Sequence, residues 1–259
     1  MNATSGDDTI ATGAGDDQIF CGNGDDYVDA SDGDDQIDLY GGGADTIIGG
    51  AGEDELIASP DLSDASITGV EILSTNGLAV AATPTQFASF TTIGYLRSLP
   101  ENAIELRLAS AGAIDFSSRV GSRWMTVVGS SGDDDIVTGS GNDHIYGRGG
   151  NDTLLGGIGD DHVHGEDGDD LVEGGAGDDF VAGDVGTDIV RGTTATTCST
   201  WPAAASIRST AETASTRYSP IGPSTTRLSS TSRSCRLGAR KCSDARALCD
   251  LRHHRIRSR

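Results

Sequence analysis

Aliphatic residues recur every nine positions in two stretches of the chain. In the first they are Ile10, Ile19, Val28 and Ile37; in the second Ile136, Ile145, Leu154, Val163, Val172, Val181 and Val190. Neither the 3.6-residue period of an amphipathic helix nor a long apolar/polar alternation accompanies them. Between consecutive aliphatics lies a polar, glycine-rich run, as in Gly156-Gly157-Ile158-Gly159-Asp160-Asp161. The unit reads Gly-Gly-x-Gly-x-Asp-x-aliphatic-x. It predicts a six-residue turn, in which glycines reach conformations that a Cβ forbids, followed by a three-residue strand. In that strand the aliphatic side chain faces inward and its neighbours, such as Thr153 and Leu155, face out. Two units close one coil, and stacked coils make a solenoid.

The aspartates keep the same period. Asp8, Asp17, Asp26 and Asp35 are nine apart, as are Asp134, Asp143, Asp152, Asp161, Asp170, Asp179 and Asp188. From Asp35 to Asp45 the step is ten, which places one extra residue within Leu39 to Gly43 before Asp54 and Leu56 resume the period. A bulge or register fault is expected there, disturbing any pairing of Asp26 with Asp45 or of Asp35 with Asp54. In coils stacked about 4.8 Å apart, aspartates 18 residues apart become neighbours: Asp134 with Asp152, Asp143 with Asp161, Asp152 with Asp170, Asp161 with Asp179, and Asp170 with Asp188. Unneutralised, each pair repels by about 1 to 4 kcal/mol, according to the local dielectric. A divalent cation between the loops converts that repulsion into coordination. Carboxylate and carbonyl oxygens, flexible in number and without sulfur, suit calcium better than zinc or magnesium. Seven units then make at most five complete sites. Fifth-position carboxylates such as Asp133, Asp160 and Asp178 are expected to be solvated surface charges.

From about residue 58 to 128 the comb stops and strand-like runs replace it: Ile67 to Leu73, Phe87 to Leu96, Ile104 to Leu108 and Trp124 to Val128. Ile104, Leu106 and Leu108 alternate with Glu105 and Arg107, as in a strand with one buried face. Pro60, Pro84 and Pro100 punctuate the runs as turn or edge residues. The segment reads as a spacer of longer β-helical coils continuous with both arrays; a small separate β domain is the alternative. The organisation expected is therefore a first array at 1–57, a spacer at 58–128, a second array at 129–192, and a basic low-complexity tail at 193–259.

Charge separates the tail from the rest. Residues 1 to 192 hold 37 acidic and 6 basic residues, whereas 193 to 259 hold 3 acidic and 12 basic. An acidic body of this density repels nucleic acid and anionic membranes and leaves cations as partners. The tail, rich in Ser, Thr, Arg and Ala and without periodicity, is expected to be disordered. Because the repeat collapses abruptly after Gly192, a shifted reading frame is a further explanation, which translation of the neighbouring frame would test. Cys21 lies alone in the acidic part, and Cys198, Cys235, Cys242 and Cys249 match no zinc module. No apolar run reaches about 18 residues, so no membrane span is indicated. Met1-Asn2-Ala3-Thr4 lacks the basic and apolar regions of a secretory signal. His162 and His164 flank Val163, and His144 lies 18 residues earlier, so three imidazoles on an outward face could chelate zinc or nickel. No fourth ligand accompanies them, and plain solvent-facing polar residues are the simpler account. Lipase-type elbows, zinc-protease helices, dinucleotide loops and Walker loops are missing from the sequence.

The nonapeptide resembles the repeats-in-toxin family, also called the haemolysin-type calcium-binding repeat. The resemblance covers roughly residues 3 to 57 and 129 to 192, where the motif recurs thirteen times. It implies an all-β fold, a right-handed parallel β-roll or β-helix solenoid, with several Ca2+ ions held between successive turns by sixth-position aspartates and glycine carbonyls. On this chain those ligands are Asp8, Asp17, Asp26, Asp35, Asp134, Asp143, Asp152, Asp161, Asp170, Asp179 and Asp188. It also implies an extracellular, secreted protein exported through a C-terminal signal, whose usual character the basic tail does not share. The expected function is a non-catalytic calcium-binding module that folds with calcium. Alternatives are a fragment of a larger secreted enzyme or toxin, and a calcium-dependent adhesin binding glycans or another cell-surface ligand through residues 58–128.

Overall fold

The structure is a computed structural model that describes residues 1–3, 5–58, 60–75, 77–95 and 104–192, and five short runs beyond them, 197–200, 208–211, 217–220, 227–230 and 233–236; of Tyr95 and those runs only the backbone is described. The runs are extended. The expectation of disorder in the tail otherwise falls on residues outside the described ones.

The chain winds into an all-β solenoid of about 10 turns. In the first part, strands Thr9–Ala11, Tyr27–Asp32, Thr46–Ala51 and Ser66–Thr68 form one parallel sheet. Gln18–Cys21, Gln36–Leu39, Glu55–Ile57, Ile72–Thr75 and Thr92–Tyr95 form the other. In the second part, Val80–Ala82, Ile104–Leu108, Met125–Val128, His144–Tyr146, His162–His164 and Phe180–Ala182 stack in one sheet. Ala113–Asp115, Asp135–Ser140, Thr153–Ile158, Leu171–Ala176 and Ile189–Gly192 stack in its counterpart.

Register follows the nonapeptide. Ile136 pairs with Leu154, Leu154 with Val172 and Val172 with Val190, while Ile145 pairs with Val163 and Val163 with Val181. All these aliphatics are buried and belong to one continuous core running from Ile10 to Val190. Thr153 is exposed and Leu155 half-buried, as their outward positions require. Strand lengths differ between the sheets. On one side the strand has three residues, and on the other six, because pairing continues into the following turn through Gly139 with Gly157 and Ser140 with Ile158.

The inserted residue of the first array is Tyr40. Cys21 pairs with Leu39 at a separation of 18, yet Gly41 lies against the backbone of Gly22 and Asn23, and Gln36 pairs with Glu55. Tyr40 is 59% exposed: the chain bulges it outward and recovers its register within two residues. The disturbance expected beyond the insertion is therefore absorbed locally, since one extra residue turned to solvent costs less than shifting every inward side chain above it.

The spacer departs further from expectation. Residues Ile67 to Leu73 are split between two sheets, Ser66–Thr68 and Ile72–Thr75. The run expected as strand from Phe87 to Leu96 begins instead in a helix, Pro84–Ser89, followed by the strand Thr92–Tyr95; Leu96 lies outside the described residues. Thr83 caps that helix in a reciprocal capping box with Gln86, and Pro84 occupies the first turn, where its missing N–H costs nothing. These polar signals, more than the apolar pattern, set the local conformation. The helix buries Phe87, which meets Phe116 edge to face at 5.7 Å between ring centroids. With Phe90 these are the largest fully buried side chains, filling a core wider than that of the arrays. The strands Ile104–Leu108 and Met125–Val128 match the expected runs.

Removing the ring at this widest layer leaves a cavity that the stacked sheets cannot close. Phe87→Ala is expected to lower the unfolding free energy by about 3 to 5 kcal/mol, measured by denaturant titration of the calcium-loaded chain.

Candidate metal centre

Each turn of the repeat brings its sixth-position aspartate under the next coil. Asp26, Asp35, Asp45, Asp54, Asp134, Asp143, Asp152, Asp161, Asp170, Asp179 and Asp188 are all buried, at no more than 2% exposure. Asp8 and Asp17, in the first coil of the stack, are half-buried. One oxygen of each buried carboxylate is clipped to the preceding coil. Asp152 Oδ1 accepts from the Asp134 amide at 2.9 Å, Asp161 Oδ1 from Asp143 at 2.8 Å, and Asp170 Oδ1 from Asp152 at 2.8 Å. Asp179 and Asp188 repeat the bond toward Asp161 and Asp170. In the first array Asp26, Asp35, Asp45 and Asp54 do the same toward Asp8, Asp17, Asp26 and Asp35. The bond to the Asp26 amide from across the Tyr40 bulge is as short as the others, 2.9 Å, so Asp45 and Asp54 belong to the columns from which the ten-residue step seemed to exclude them.

The second oxygen is what makes the column unusual. Oδ2 of Asp26, Asp35, Asp54, Asp143, Asp152, Asp161, Asp170, Asp179 and Asp188 is buried and accepts no hydrogen bond. Such a group costs on the order of 1 to 3 kcal/mol or more unless something satisfies it. Among the described residues the ion pairs join Arg107 to Glu105, His164 to Asp184 and Arg191 to Glu173, and none reaches a sixth-position carboxylate.

The first-position glycine shows what the second oxygen faces. A Cβ placed on Gly147 overlaps Asp152 Oδ2 and stands 2.6 Å from the carbonyl oxygen of Gly165 in the next coil; on Gly156 it overlaps Asp161 Oδ2 and stands 2.6 Å from the Gly174 carbonyl oxygen. The carboxylate oxygen and the carbonyl oxygen of the next coil therefore lie close together beside the bare Cα of the glycine, two hard oxygens of the kind calcium takes as ligands. Among the described residues no three His, Cys, Asp or Glu side chains converge on one ion. A cation here therefore draws on backbone carbonyls for much of its shell, a donor set of hard oxygens that fits calcium.

The fifth position carries an unexpected ladder. Asp133 Oδ1 accepts from the Asn151 amide at 2.7 Å, Asn151 Oδ1 from Asp169 at 2.9 Å, and Asp169 Oδ1 from Thr187 at 2.7 Å. Asp160 Oδ1 accepts from Asp178 at 2.8 Å. These exposed side chains point toward the following coil, opposite to the sixth-position clips, so the loops are laced in both directions. The signal in the sequence was the recurrence of Asp or Asn at this position, an acceptor where any polar residue would satisfy solvent. Ala44, at the same position in the first array, has no side-chain acceptor.

The three histidines do not assemble a metal site. His144 and His162 stack face to face, 4.8 Å apart and 4° from parallel, so their in-plane nitrogens point side by side and not at a common ion. His164 stacks on Tyr146 and its Nδ1 lies 3.0 Å from Asp184 Oδ2. Cys21, a free thiol in the interior, is pushed up to about 12 by burial and the nearby carboxylates of Asp26, Asp45 and Asp38, which leaves it unreactive.

Burial raises the carboxyls of Asp35, Asp45, Asp54, Asp143, Asp152, Asp161, Asp170, Asp179 and Asp188 above their ordinary range. Asp152 and Asp161 rise to about 7 and Asp188 to about 6. Desolvation is the largest cause. The amide clip opposes it, and like charges one coil away add to the rise, Asp170 and Asp134 for Asp152, Asp143 and Asp179 for Asp161. Because these values lie above those of the unfolded chain, the folded calcium-free state holds protons that the unfolded state has released. Its penalty is absent below about pH 4, grows as the carboxylates ionise, and is complete above about pH 7. The calcium-free chain is expected to retain more β-structure at pH 5 than at pH 8, and calcium affinity to fall across the same window as protons compete. Circular dichroism in chelator at both pH values checks the first; equal β-content would contradict it.

The sequence model of the family described as RTX calcium-binding nonapeptide repeat (4 copies) matches residues 2–37, 40–60, 128–163 and 155–190. Comparison with the curated proteins finds no match. No helix among the described residues is long and apolar enough to cross a membrane. The matched segments are those that carry the aspartate columns: the chain carries RTX calcium-binding nonapeptide repeats.

Proposed function

We propose that this chain is a non-catalytic module whose folding is coupled to calcium, with ions held between successive coils by the sixth-position aspartates. The ligands are Asp8, Asp17, Asp26, Asp35, Asp134, Asp143, Asp152, Asp161, Asp170, Asp179 and Asp188, joined by Asp45 and Asp54 and by first-position carbonyls such as those of Gly165 and Gly174. The observation that carries this reading is the column of buried Oδ2 atoms without hydrogen bonds, of which those of Asp54, Asp152, Asp161 and Asp170 lie beside a carbonyl of the next coil. Residues 1–57 and 129–192 are the binding arrays. Residues 58–128 are a spacer that carries the core from one to the other.

The physical logic is mass action. A site loaded at a hundred times its dissociation constant adds about 2.7 kcal/mol to folding, so a few sites rival the whole stability of an ordinary domain. Without the ions the stacked carboxylates repel and desolvate with nothing in return. RTX repeat proteins are typically secreted, which supports an extracellular placement, where such a chain folds on meeting calcium.

Far-UV circular dichroism of the whole chain is expected to show strong β-structure in calcium and its loss on chelation; β-content indifferent to chelator rules the coupling out. Asp161→Asn removes one charge from the column while keeping an acceptor for the Asp143 amide. It is expected to weaken calcium binding yet stabilise the calcium-free chain, a pair of opposite signs that calorimetric titration and chelated unfolding curves would read separately.

A further inference from the structure

The first column of coordination does not stop with its last nonapeptide. Ile72 is the strand partner of Glu55, and its amide donates to the Asp54 carbonyl at 2.9 Å, the bond that Leu171 makes to Asp152 and Ile189 to Asp170. The residue before Ile72 therefore stands in the sixth position one coil beyond Asp54, and it is Glu71. Its Oε2 accepts from the Asp54 amide at 3.1 Å, as Asp54 Oδ1 accepts from the Asp35 amide at 2.9 Å.

Gly69 supplies the first position of this shortened turn. The Gly50 amide donates to its carbonyl at 3.1 Å, and a Cβ on Gly49 overlaps both the Gly69 carbonyl oxygen and Asp54 Oδ2. That is the arrangement found at Gly147, between Asp152 Oδ2 and the Gly165 carbonyl. Gly69-Val70-Glu71 thus spans with three residues what the repeat spans with six, and the additional methylene of glutamate restores the reach that the shorter loop gives up. Val70 anchors the turn in the core. Asp54 is fully buried, and its Oδ2 accepts no hydrogen bond.

We propose that Glu71 and Gly69, which belong to no nonapeptide, close a further calcium site with Asp54 at the boundary between the first array and the spacer. The shell includes the Asp54 Oδ2, the Gly69 carbonyl oxygen and the Glu71 carboxylate, all hard oxygen donors. The proposal rests on the calcium reading of the arrays. It makes the spacer a participant in binding, so that calcium ties the first array to the coils that follow it.

Glu71→Gln tests this in the full-length chain, since glutamine still offers an oxygen to the Asp54 amide but carries no charge. Calorimetric calcium titration is expected to show one equivalent fewer than the wild-type chain, with the remaining sites unchanged; an unaltered stoichiometry overturns the site. Should that variant not fold, wild-type crystals grown with terbium decide. An anomalous peak between Asp54, Gly69 and Glu71 supports the site, and its lack in crystals whose nonapeptide positions are occupied overturns it. A wild-type chain that takes up no calcium at all overturns the function proposed above along with the site, and is thereby told apart from failure of this site alone.

Discussion

A column of carboxylates buried at the spacing of stacked strands is the constraint to which the rest of this molecule answers. Asp26, Asp35, Asp54, Asp143, Asp152, Asp161, Asp170, Asp179 and Asp188 are held by the same two demands. Oδ1 must accept an amide from the coil before it, as that of Asp152 does from Asp134, and Oδ2 is then left inside the protein without a hydrogen bond. Moving the side chain outward would relieve the second demand and break the first. The carboxylate therefore stays, at the cost of desolvation and of repulsion from its neighbours, a cost that a divalent cation between the coils would offset.

Glycine at the first position follows from the same constraint, because any Cβ on Gly147 or Gly156 occupies the point between carboxylate and carbonyl. At the second position the backbone turns through positive φ even where the residue is not glycine, as at Arg148 with φ of 74° and Glu166 with φ of 70°. Those residues are strained, and the hydrogen-bonded coils on either side hold them there. The opposed ladders at positions five and six resist sliding of one coil over another in either direction. The binding loops are thus set by backbone geometry and not by side-chain packing, which is confined to the aliphatic column inside.

The spacer solves a different problem. Without the glycine comb and its column of buried aspartates, it fills a wider interior with Phe87, Phe90 and Phe116 and closes it with the capped helix at Pro84–Ser89. At its entrance, however, it still obeys the rule of the array: the amide of Asp54 finds its carboxylate on Glu71. The transition from repeat to spacer is therefore gradual in hydrogen bonding although abrupt in sequence.

Periodicity alone determined the solenoid, its parallel coils and the partners 18 residues apart, because a nine-residue unit with one inward aliphatic allows only one way to stack. It could not determine where the extra residue of the first array would go. Tertiary structure decided that Tyr40 turns to solvent, since a core register that flips at one residue's slip is worth more than one exposed ring, and this kept Asp45 and Asp54 in their columns. Nor did the apolar pattern reveal the helix at Phe87, which capping chemistry and a wide core impose together. Glu71 was least legible of all: it lies in no repeat, and only the strand pairing that sets Ile72 beside Glu55 places its carboxylate over Asp54. Local spacing fixes which residues recur, whereas contacts between non-repeating segments depend on loop lengths that only the folded backbone resolves.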